Sequence, residues 1–404
     1  MKSEPSRSKF GVDVLNDALR RQRRRRSRMT ASTVHYRVGN GDMHLVEIEG
    51  GRKLLIDINV RQPGPDVPDV ITQLRKRLKR DAEDRLFVDG FLLTHPDQDH
   101  CRGLKEHFHL GPPETWSKAA DKIIIREMWS SPIVFRRASR DHQLCDDANA
   151  WACEARRRVK RFRERGVGPD GERVIIMGED VDGKTDDLGP ILVKADGEFS
   201  RICGVTGRFT ARLIAPMPAS DDDEDEFLSK NNSSVIIGLA LEADGDPDAS
   251  RFLFGGDAEV GIWEKVWDRN KSRKHVLEYD VLIAPHHCSW RSLSWDSWSD
   301  YGEGAEVSED ARSALGQARS GAEILASSKQ IKDDADDPPC IRAKREYKDI
   351  VAPQNGTFAC IADRSGTDPY EIEVTYAGHK PKRPTVAATV AVATGIGATP
   401  LPHG

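Results

Sequence analysis

The chain has 404 residues, of which 38% are hydrophobic and 31% are charged, enough for one large domain with an insertion or for two domains. Its net charge of −5 is too small to indicate a partner, and we find neither an apolar run of the ~18 residues that a membrane span needs nor the apolar h-region of a secretory signal. Seven cysteines, an odd number without zinc-finger spacing, argue against a disulfide framework and favour a reducing cytoplasm.

Residues 1–30 form a polar, basic segment that we expect to be a flexible arm. Its stretch Arg20–Arg28 reads RRQRRRRSR, with seven arginines in nine positions. Such a block repels itself and can bind the phosphates of a nucleic acid or a nucleotide. The alternatives are a solvated tail or a contact with an acidic protein partner.

A β-rich segment follows the arm. In VHYRVGNGDMHLVEIEGGRKLLIDINV, short β-prone runs alternate with glycine-containing turns, one of them at Asn40–Asp42, which predicts hairpins. Apolar spacing then predicts a helix over Val67–Arg80, and the next apolar run predicts a strand over Arg85–Thr94.

This strand leads into HPDQDH, which contains four potential metal ligands within six residues. They are His95, Asp97, Asp99 and His100. Buried carboxylates are costly unless they are paired or bind a metal, so packing alone does not explain such a cluster. The cluster is therefore the first candidate for a functional site.

The rest of the chain divides into a less regular middle and an ordered later part. The middle region, 110–230, is expected to contain an insertion. Near the end, the runs Thr357–Asp363 and Glu371–Tyr376 predict a final hairpin. The segment 379–404 is rich in Pro, Ala and Thr and is expected to be a disordered tail, which leaves 31–378 as the main domain.

Two further predicted strands also end in potential ligands. The strand Arg251–Phe254 precedes Asp257, and the strand Val281–Ala284 precedes His286 and His287. In enzymes built on sheets, ligands cluster where strands meet loops, because the rigid sheet holds them in place. We therefore expect these residues to meet the HPDQDH cluster.

These motifs resemble those of metallo-β-lactamase-fold hydrolases, especially the hydrolase domain of competence DNA-uptake channel proteins and its stand-alone relatives. The matching pieces span about 34–376 and are GDMHLVEIEGGRKLLIDIN, LLTHPDQDHCRGL, KNNSSVIIGLAL, FLFGGDAE and DVLIAPHHCS. The resemblance implies an α/β fold, namely a four-layer αβ/βα sandwich with an inserted middle region. It also implies one or two divalent metal ions, Zn²⁺ or Mn²⁺, with Mg²⁺ as a further option.

The resemblance further implies a set of metal ligands drawn from three strand ends. The set consists of His95, Asp97, Asp99, His100, Asp257, His286 and His287. His95 and Asp97 would face the first metal position, Asp99 and His100 would face the second, and Asp257 would bridge the two.

The pair His286-His287 would complete the second metal position with one of its two rings, and the motif leaves open which one. Asp57, which follows an earlier strand, is expected outside the ligand set, where it would orient the ligands by hydrogen bonds.

Several positions depart from the family pattern. Asp97 stands where the superfamily usually has histidine, and a further first-position histidine is missing; His142 is an open candidate for it. Without it, the first position is rich in oxygen ligands, which favour Mn²⁺ or Mg²⁺. Arg102 replaces a glycine and is either a substrate-phosphate ligand or half of a surface salt bridge. Ser289 is a second candidate for substrate binding.

The favoured function is therefore a metallohydrolase that cleaves a phosphodiester, in nucleic acid or in a cyclic nucleotide, with a metal-activated hydroxide. Asp99 could accept a proton, and the histidine of the His286-His287 pair that is not a ligand could protonate the leaving oxygen. Two alternatives stay open. One is an ester, lactone or amide hydrolase of the same fold. The other is a degenerate scaffold that works with a partner protein in a bacterial defence or regulatory system.

Overall fold

Two β-sheets form the framework of the computed structural model, which describes residues 30–132, 144–179, 183–218 and 234–382. The α/β fold class is confirmed. In chain order the strands are β1 (Ala31–His35), β2 (His44–Glu47), β3 (Lys53–Ile56), β4 (Ile58–Asn59), β5 (Lys79–Arg80), β6 (Leu86–Leu93), β7 (Phe108–His109), β8 (Ile123–Ser130), β9 (Arg173–Met177), β10 (Leu192–Val193), β11 (Glu198–Ile202), β12 (Val205–Ala215), β13 (Ile236–Ala243), β14 (Asp246–Phe254), β15 (Tyr279–Ile283), β16 (Ala318–Ala326), β17 (Thr357–Cys360), β18 (Tyr370–Thr375) and β19 (Gly378–Pro381).

The helices lie between these strands. They are α1 (Val70–Arg77), α2 (Gln98–Cys101), α3 (Leu104–His107), α4 (Asp146–Arg165), α5 (Val260–Asn270), the turn-like α6 (Pro285–Cys288), α7 (Trp298–Tyr301), α8 (Glu309–Leu315) and α9 (Ile341–Val351), with short 3-10 turns elsewhere. Within the described residues, no helix combines the length and the apolar character that a membrane crossing requires.

The first sheet has the order β10-β9-β8-β6-β3-β2-β1-β18-β19, and β5 and β7 pair with β6 and β8. The second sheet has the order β11-β12-β13-β14-β15-β16-β17. In the first sheet, β3, β6 and β8 are parallel neighbours. In the second sheet, β14, β15 and β16 are parallel neighbours.

Three apolar clusters pack this framework. One contains residues of both sheets, such as Leu54 and Leu92 from the first and Phe252 and Val281 from the second. A second cluster joins the first sheet to α1 and α4, and a third joins the second sheet to α5, α8 and α9. Burial of these side chains at about 25 cal/mol per Å² is the main stabilising contribution to such a fold.

Local sequence explains where the main helices begin. Asp69 caps α1, because its side chain accepts a hydrogen bond from Thr72 N (3.0 Å), and Val70 and Leu74 are the buried residues of that helix. The helix is shorter at both ends than the predicted range 67–80. It begins after the Asp69 cap, and the last residues of that range form β5. Cys145 caps α4 through its sulfur, which accepts from Ala148 N.

The chain order of the sheets corrects one prediction and refines two. The prediction of a final hairpin is wrong, because β17 pairs with β16 in the second sheet, whereas β18 pairs with β1 and β19 in the first. Residues 379–381, assigned to the tail, lie in β19; the tail beyond 382 lies outside the described residues. The middle region 110–230 supplies β8–β10 to one sheet and β11–β12 to the other, so it is part of both.

Candidate metal centre

The potential ligands lie at the carboxyl ends of parallel strands. Asp57 follows β3 and His95 follows β6, and these strands are neighbours in the first sheet. Asp257 follows β14 and His287 follows β15, which are neighbours in the second sheet. Since parallel neighbours end at the same edge, each sheet brings its own ligands together, and packing of the sheets brings the two groups to one place.

Four buried residues there can hold a metal ion. Asp42, His100, Asp257 and His287 each offer a ligand atom, and these atoms lie within 4.8 Å of one another. Three of the four were predicted from the sequence. Asp42 was missed, because its position in a glycine-containing turn suggested a turn residue.

The spacing of the donor atoms fits one ion. His287 Nε2 lies 3.3 Å from His100 Nε2, 3.4 Å from Asp257 Oδ2 and 3.4 Å from Asp99 Oδ2. Donors bound at 2.0–2.1 Å in a tetrahedron lie about 3.3 Å apart. Donor atoms of Asp99, His100 and Asp257 thus lie around His287 Nε2 at the spacing expected of ligands on one ion, and Asp99, with 36% of its side chain exposed, is the residue nearest to solvent.

His100 is oriented by Asp57. Its Nδ1 lies 2.8 Å from Asp57 Oδ2, and the side chains of both residues are fully buried. The same carboxylate accepts hydrogen bonds from Thr94 N (2.7 Å) and Thr94 Oγ1 (2.6 Å). These contacts turn His100 Nε2 toward Asp257, at 3.0 Å from its Oδ1. The geometry is that of a carboxylate–histidine pair behind a metal ligand.

Asp42 stands behind His287 in a similar way. Asp42 Oδ1 lies 3.7 Å from His287 Nδ1, on the opposite side of the ring from the Nε2 that faces the other donors. The loop that presents Asp42 is fixed at several points: Asp42 N donates to Asp99 O (3.3 Å) and Ser327 Oγ donates to Gly41 O (2.7 Å). This geometry favours Asp42 as the residue that orients His287 rather than as a direct ligand.

A buried row of polar side chains continues from Asp42. His44 Nε2 lies 3.3 Å from Asp42 Oδ1, His44 Nδ1 lies 3.0 Å from His35 Nδ1, and His35 Nε2 lies 2.8 Å from Thr33 Oγ1. Sequence analysis missed this row as well. The sequence pattern that could have predicted this row is the alternation of polar residues along β1 and β2, which places their side chains on one face of the hairpin.

His95 and Asp97 also lie near Asp257, and the His95 ring lies 4.0 Å from the His100 ring, centroid to centroid. His95 Nε2 is 3.6 Å from Asp257 Oδ2 and 4.0 Å from Asp97 Oδ2. Asp257 thus faces His100 with one oxygen and His95 with the other. The bridging role of Asp257 between two ions stays a prediction.

The two neighbouring histidines occupy strained backbone. His286, His287 and Cys288 have φ values of 50°, 55° and 68°, all in the left-handed region that costs a non-glycine residue about 1–2 kcal/mol. This backbone aims both rings at Asp257, with His286 Nε2 3.8 Å from Asp257 Oδ2. His287 is 1% exposed and lies among the donors, whereas His286 is 14% exposed and also faces Glu259. Consecutive strained residues persist where the surrounding structure enforces them, often at functional sites.

The electrostatics of the group fit a cation. Burial alone would raise the pKa of Asp257 and lower that of His287, but their mutual attraction and that of their neighbours reverse both directions. Buried atoms of the group also lack hydrogen-bond partners among the described residues. They are Asp42 Oδ1, His95 Nε2, Asp257 Oδ1 and His287 Nδ1. Buried polar atoms without partners are costly, and a bound cation would satisfy the acceptors.

The remaining predicted residues lie in different settings. Arg102 directly follows α2, and its buried Nε has no hydrogen-bond partner within the ranges that the structure describes. Ser289 is fully buried, and its hydroxyl caps a 3-10 turn by accepting from Arg291 N (3.1 Å). His142 and the arginine block Arg20–Arg28 lie outside the described residues.

Comparisons of the chain with protein-family models and with curated proteins found no match.

Proposed function

We propose that the chain is a metal-dependent phosphodiester hydrolase with the four-layer metallo-β-lactamase sandwich. The observation that supports this most directly is the distance of 3.3–3.4 Å from His287 Nε2 to donor atoms of His100, Asp257 and Asp99. Two buried carboxylates behind the histidines add to it. Such outer partners are typical of protein metal sites.

The packing supports the proposed fold. An apolar cluster with residues from both sheets, flanked by one helix-containing cluster per sheet, is what a sandwich of two sheets between helices requires. Ligands at the carboxyl ends of parallel strands agree with it.

In this proposal, Asp99, His100, Asp257 and His287 hold one ion, and His95 with Asp97 lies beside a second position that shares Asp257. A divalent ion at this place acidifies water and neutralises charge on a phosphoryl group. Zn²⁺ and Mn²⁺ both suit a mixture of imidazole and carboxylate ligands, and Mg²⁺ is a further option at the oxygen-rich position.

Two arginines beside the cluster support an anionic substrate. Val60 N donates to Arg102 O (2.9 Å), and the guanidinium of the next residue, Arg61, lies against Gly39 in the loop that leads to Asp42. Neither arginine has a carboxylate partner among the described residues. Burial and the charge of Arg102 lower the pKa of Arg61. Two neighbouring cations without a counter-ion form a site for a phosphate.

His286 is the residue we assign to proton transfer. Since His287 lies among the ligands, the more exposed His286 remains to donate a proton from its imidazole to the leaving oxygen of the substrate. Asp99, as the cluster carboxylate nearest to solvent, accepts the proton of the attacking water.

Hydrolysis of bis-p-nitrophenyl phosphate with Mn²⁺ or Zn²⁺ tests the proposal. We expect turnover by the wild type and its loss in Asp99→Ala, whereas Asp66→Ala, at an exposed position, should keep it. If p-nitrophenyl acetate alone is cleaved, the ester hydrolase is the right function. Metal binding without turnover of either compound would favour the non-catalytic scaffold that works with a partner protein.

A second experiment tests the arginines. Because Arg102 has no carboxylate partner in the described part of the chain, Arg102→Gln should raise KM for the phosphodiester about tenfold, the equivalent of one charge-assisted hydrogen bond. Arg156→Gln, on the exposed side of α4, is the control and should leave KM unchanged. An unchanged KM in Arg102→Gln would remove this residue from substrate binding.

We also propose that the arm Arg20–Arg28 binds nucleic acid, in line with its charge density. The full chain should bind single-stranded DNA with an affinity that falls steeply with salt, and replacing the seven arginines by glutamine should flatten that dependence. An unchanged salt dependence would favour the alternatives, a solvated tail or a contact with an acidic protein.

A further inference from the structure

Two cysteines lie close together beside the candidate metal ligands. The sulfur atoms of Cys101 and Cys145 are 3.5 Å apart. Cys101 is buried and directly follows His100, whereas Cys145 is partly exposed and caps α4. The other described cysteine of α4, Cys153, is more exposed than either.

The start of α4 is attached to the ligand-bearing segment by more than this pair. Asp147 accepts hydrogen bonds from Gly103 N (2.9 Å) and Lys105 N (2.8 Å), both just after Cys101. These bonds hold the first turn of α4 against residues 101–105. The two sulfur atoms therefore stay near each other as part of the fold.

The surroundings of Cys145 favour its thiolate. Its sulfur accepts a hydrogen bond from Ala148 N (3.4 Å) at the amino end of a 20-residue helix, where the helix dipole stabilises negative charge. The contact with Cys101, together with these backbone bonds, lowers the pKa of Cys145 to about 6.

A metal site is not favoured here. A structural zinc site needs four ligands and a catalytic one needs three. Among the described residues, three or more potential ligands come together in the group of Asp42, His100, Asp257 and His287, and neither sulfur belongs to it. Two sulfur atoms in contact, one partly exposed and one buried, instead match an attacking and a resolving thiol.

We propose that Cys101 and Cys145 form a reversible disulfide when the protein meets a hydroperoxide. The Cys145 thiolate attacks one peroxide oxygen and the O–O bond breaks, which gives a sulfenic acid and a hydroxide that leaves as water once it is protonated. The Cys101 sulfur then attacks the sulfenic sulfur, the S–O bond breaks, and the second water leaves. In sum, two thiols and one hydrogen peroxide give one disulfide and two waters. The sulfurs must approach by about 1.5 Å to reach the length of an S–S bond.

Peptide mapping of the full chain after treatment with equimolar hydrogen peroxide tests the proposal. We expect a cross-linked pair of peptides that contain Cys101 and Cys145, with the loss of two hydrogen atoms, and its disappearance after dithiothreitol. The cross-link should be absent in Cys145→Ser and retained in Cys153→Ser, the control on the same helix.

The same map can overturn the proposal. If exposure decides the reaction, Cys153 is oxidised first and no cross-link between Cys101 and Cys145 appears. Accumulation of Cys145 as sulfinic acid, with Cys101 still reduced, would equally refute the pairing. The wild-type map decides between these outcomes without any substitution, so a folding defect in Cys145→Ser would not obscure the result.

Discussion

Two histidines of the cluster face carboxylates that arise from different parts of the chain. Asp57 contacts His100 at 2.8 Å, and Asp42 faces His287 at 3.7 Å. In both cases the carboxylate meets Nδ1, which leaves Nε2 for the shared centre at Asp257. Asp57 therefore fixes His100 in one orientation before any ion binds, which lowers the entropic cost of binding, whereas Asp42 faces His287 beyond hydrogen-bond distance.

Asp42→Asn tests the contribution of the residue that sequence analysis missed. The substitution keeps the shape but removes the charge that faces His287 Nδ1. We expect the affinity for Zn²⁺ or Mn²⁺ to fall about 10–100-fold, as for other outer partners of metal ligands. Competition with a fluorescent chelator measures this. Asp66→Asn, on the surface, should bind as the wild type does, and an equal affinity in Asp42→Asn would show that His287 needs no such partner.

Asp57→Asn should reduce stability even without metal. Asp57 accepts hydrogen bonds from Thr94 N and Oγ1 and lies within hydrogen-bond distance of His100, and an amide cannot accept all three. We expect a loss of about 2–3 kcal/mol in the free energy of unfolding. Urea unfolding in excess chelator measures it. Asn tolerates the positive φ of 54° at this position, so backbone strain does not confound the comparison. A loss below about 0.5 kcal/mol would contradict a structural role for these bonds.

At the scale of elements, α4 links the first sheet to the ligand segment. Its amino end contacts residues 101–105, as described above. Farther along the helix, buried Arg158 donates to Glu154 (2.8 Å), to Arg173 O of β9 (2.9 Å) and to Ile125 O of β8 (3.1 Å). One side chain thus joins α4 to two strands.

Arg158→Met should destabilise the fold by about 3 kcal/mol, because two buried carbonyls lose their donor and Glu154 loses one of its two cations. Arg156→Met, two residues earlier on the exposed side, should stay within about 0.5 kcal/mol of the wild type. Chemical denaturation compares the two. Equal stability of both variants would mean that apolar packing alone holds α4 in place.

Sequence analysis could predict the features that depend on neighbouring residues in the chain. An apolar run followed by His and Asp is such a signal, and it correctly located the strands before Asp57, His95, Asp257 and His287. Strand partners are not local: β17 and β18 look like a hairpin in sequence, yet they join different sheets. The role of Asp42 is also non-local, because it depends on a loop of the first sheet meeting a histidine of the second.

At the scale of the whole molecule, the cluster lies where the two sheets meet. Asp99 and His100 come after β6 of the first sheet, whereas Asp257 and His287 come after β14 and β15 of the second. Between the sheets lies the apolar cluster that contains residues of both. An ion held by all four residues would therefore cross-link the sheets, and unfolding would have to release it.

Thermal unfolding with and without metal tests this coupling. At a free ion concentration of 100 times Kd, binding to the folded state alone adds about 2.7 kcal/mol, and a chelator should remove the same amount. Asp99→Ala is the control, since it removes the donor that lies 3.4 Å from His287 Nε2 and should show a much smaller shift. An equal shift in that variant would place the stabilising ion elsewhere. If metal leaves the unfolding temperature of the wild type unchanged, ion binding does not stabilise the packing of the two sheets. Charge pairing among Asp257, His100 and His287 would then be enough to satisfy the buried groups.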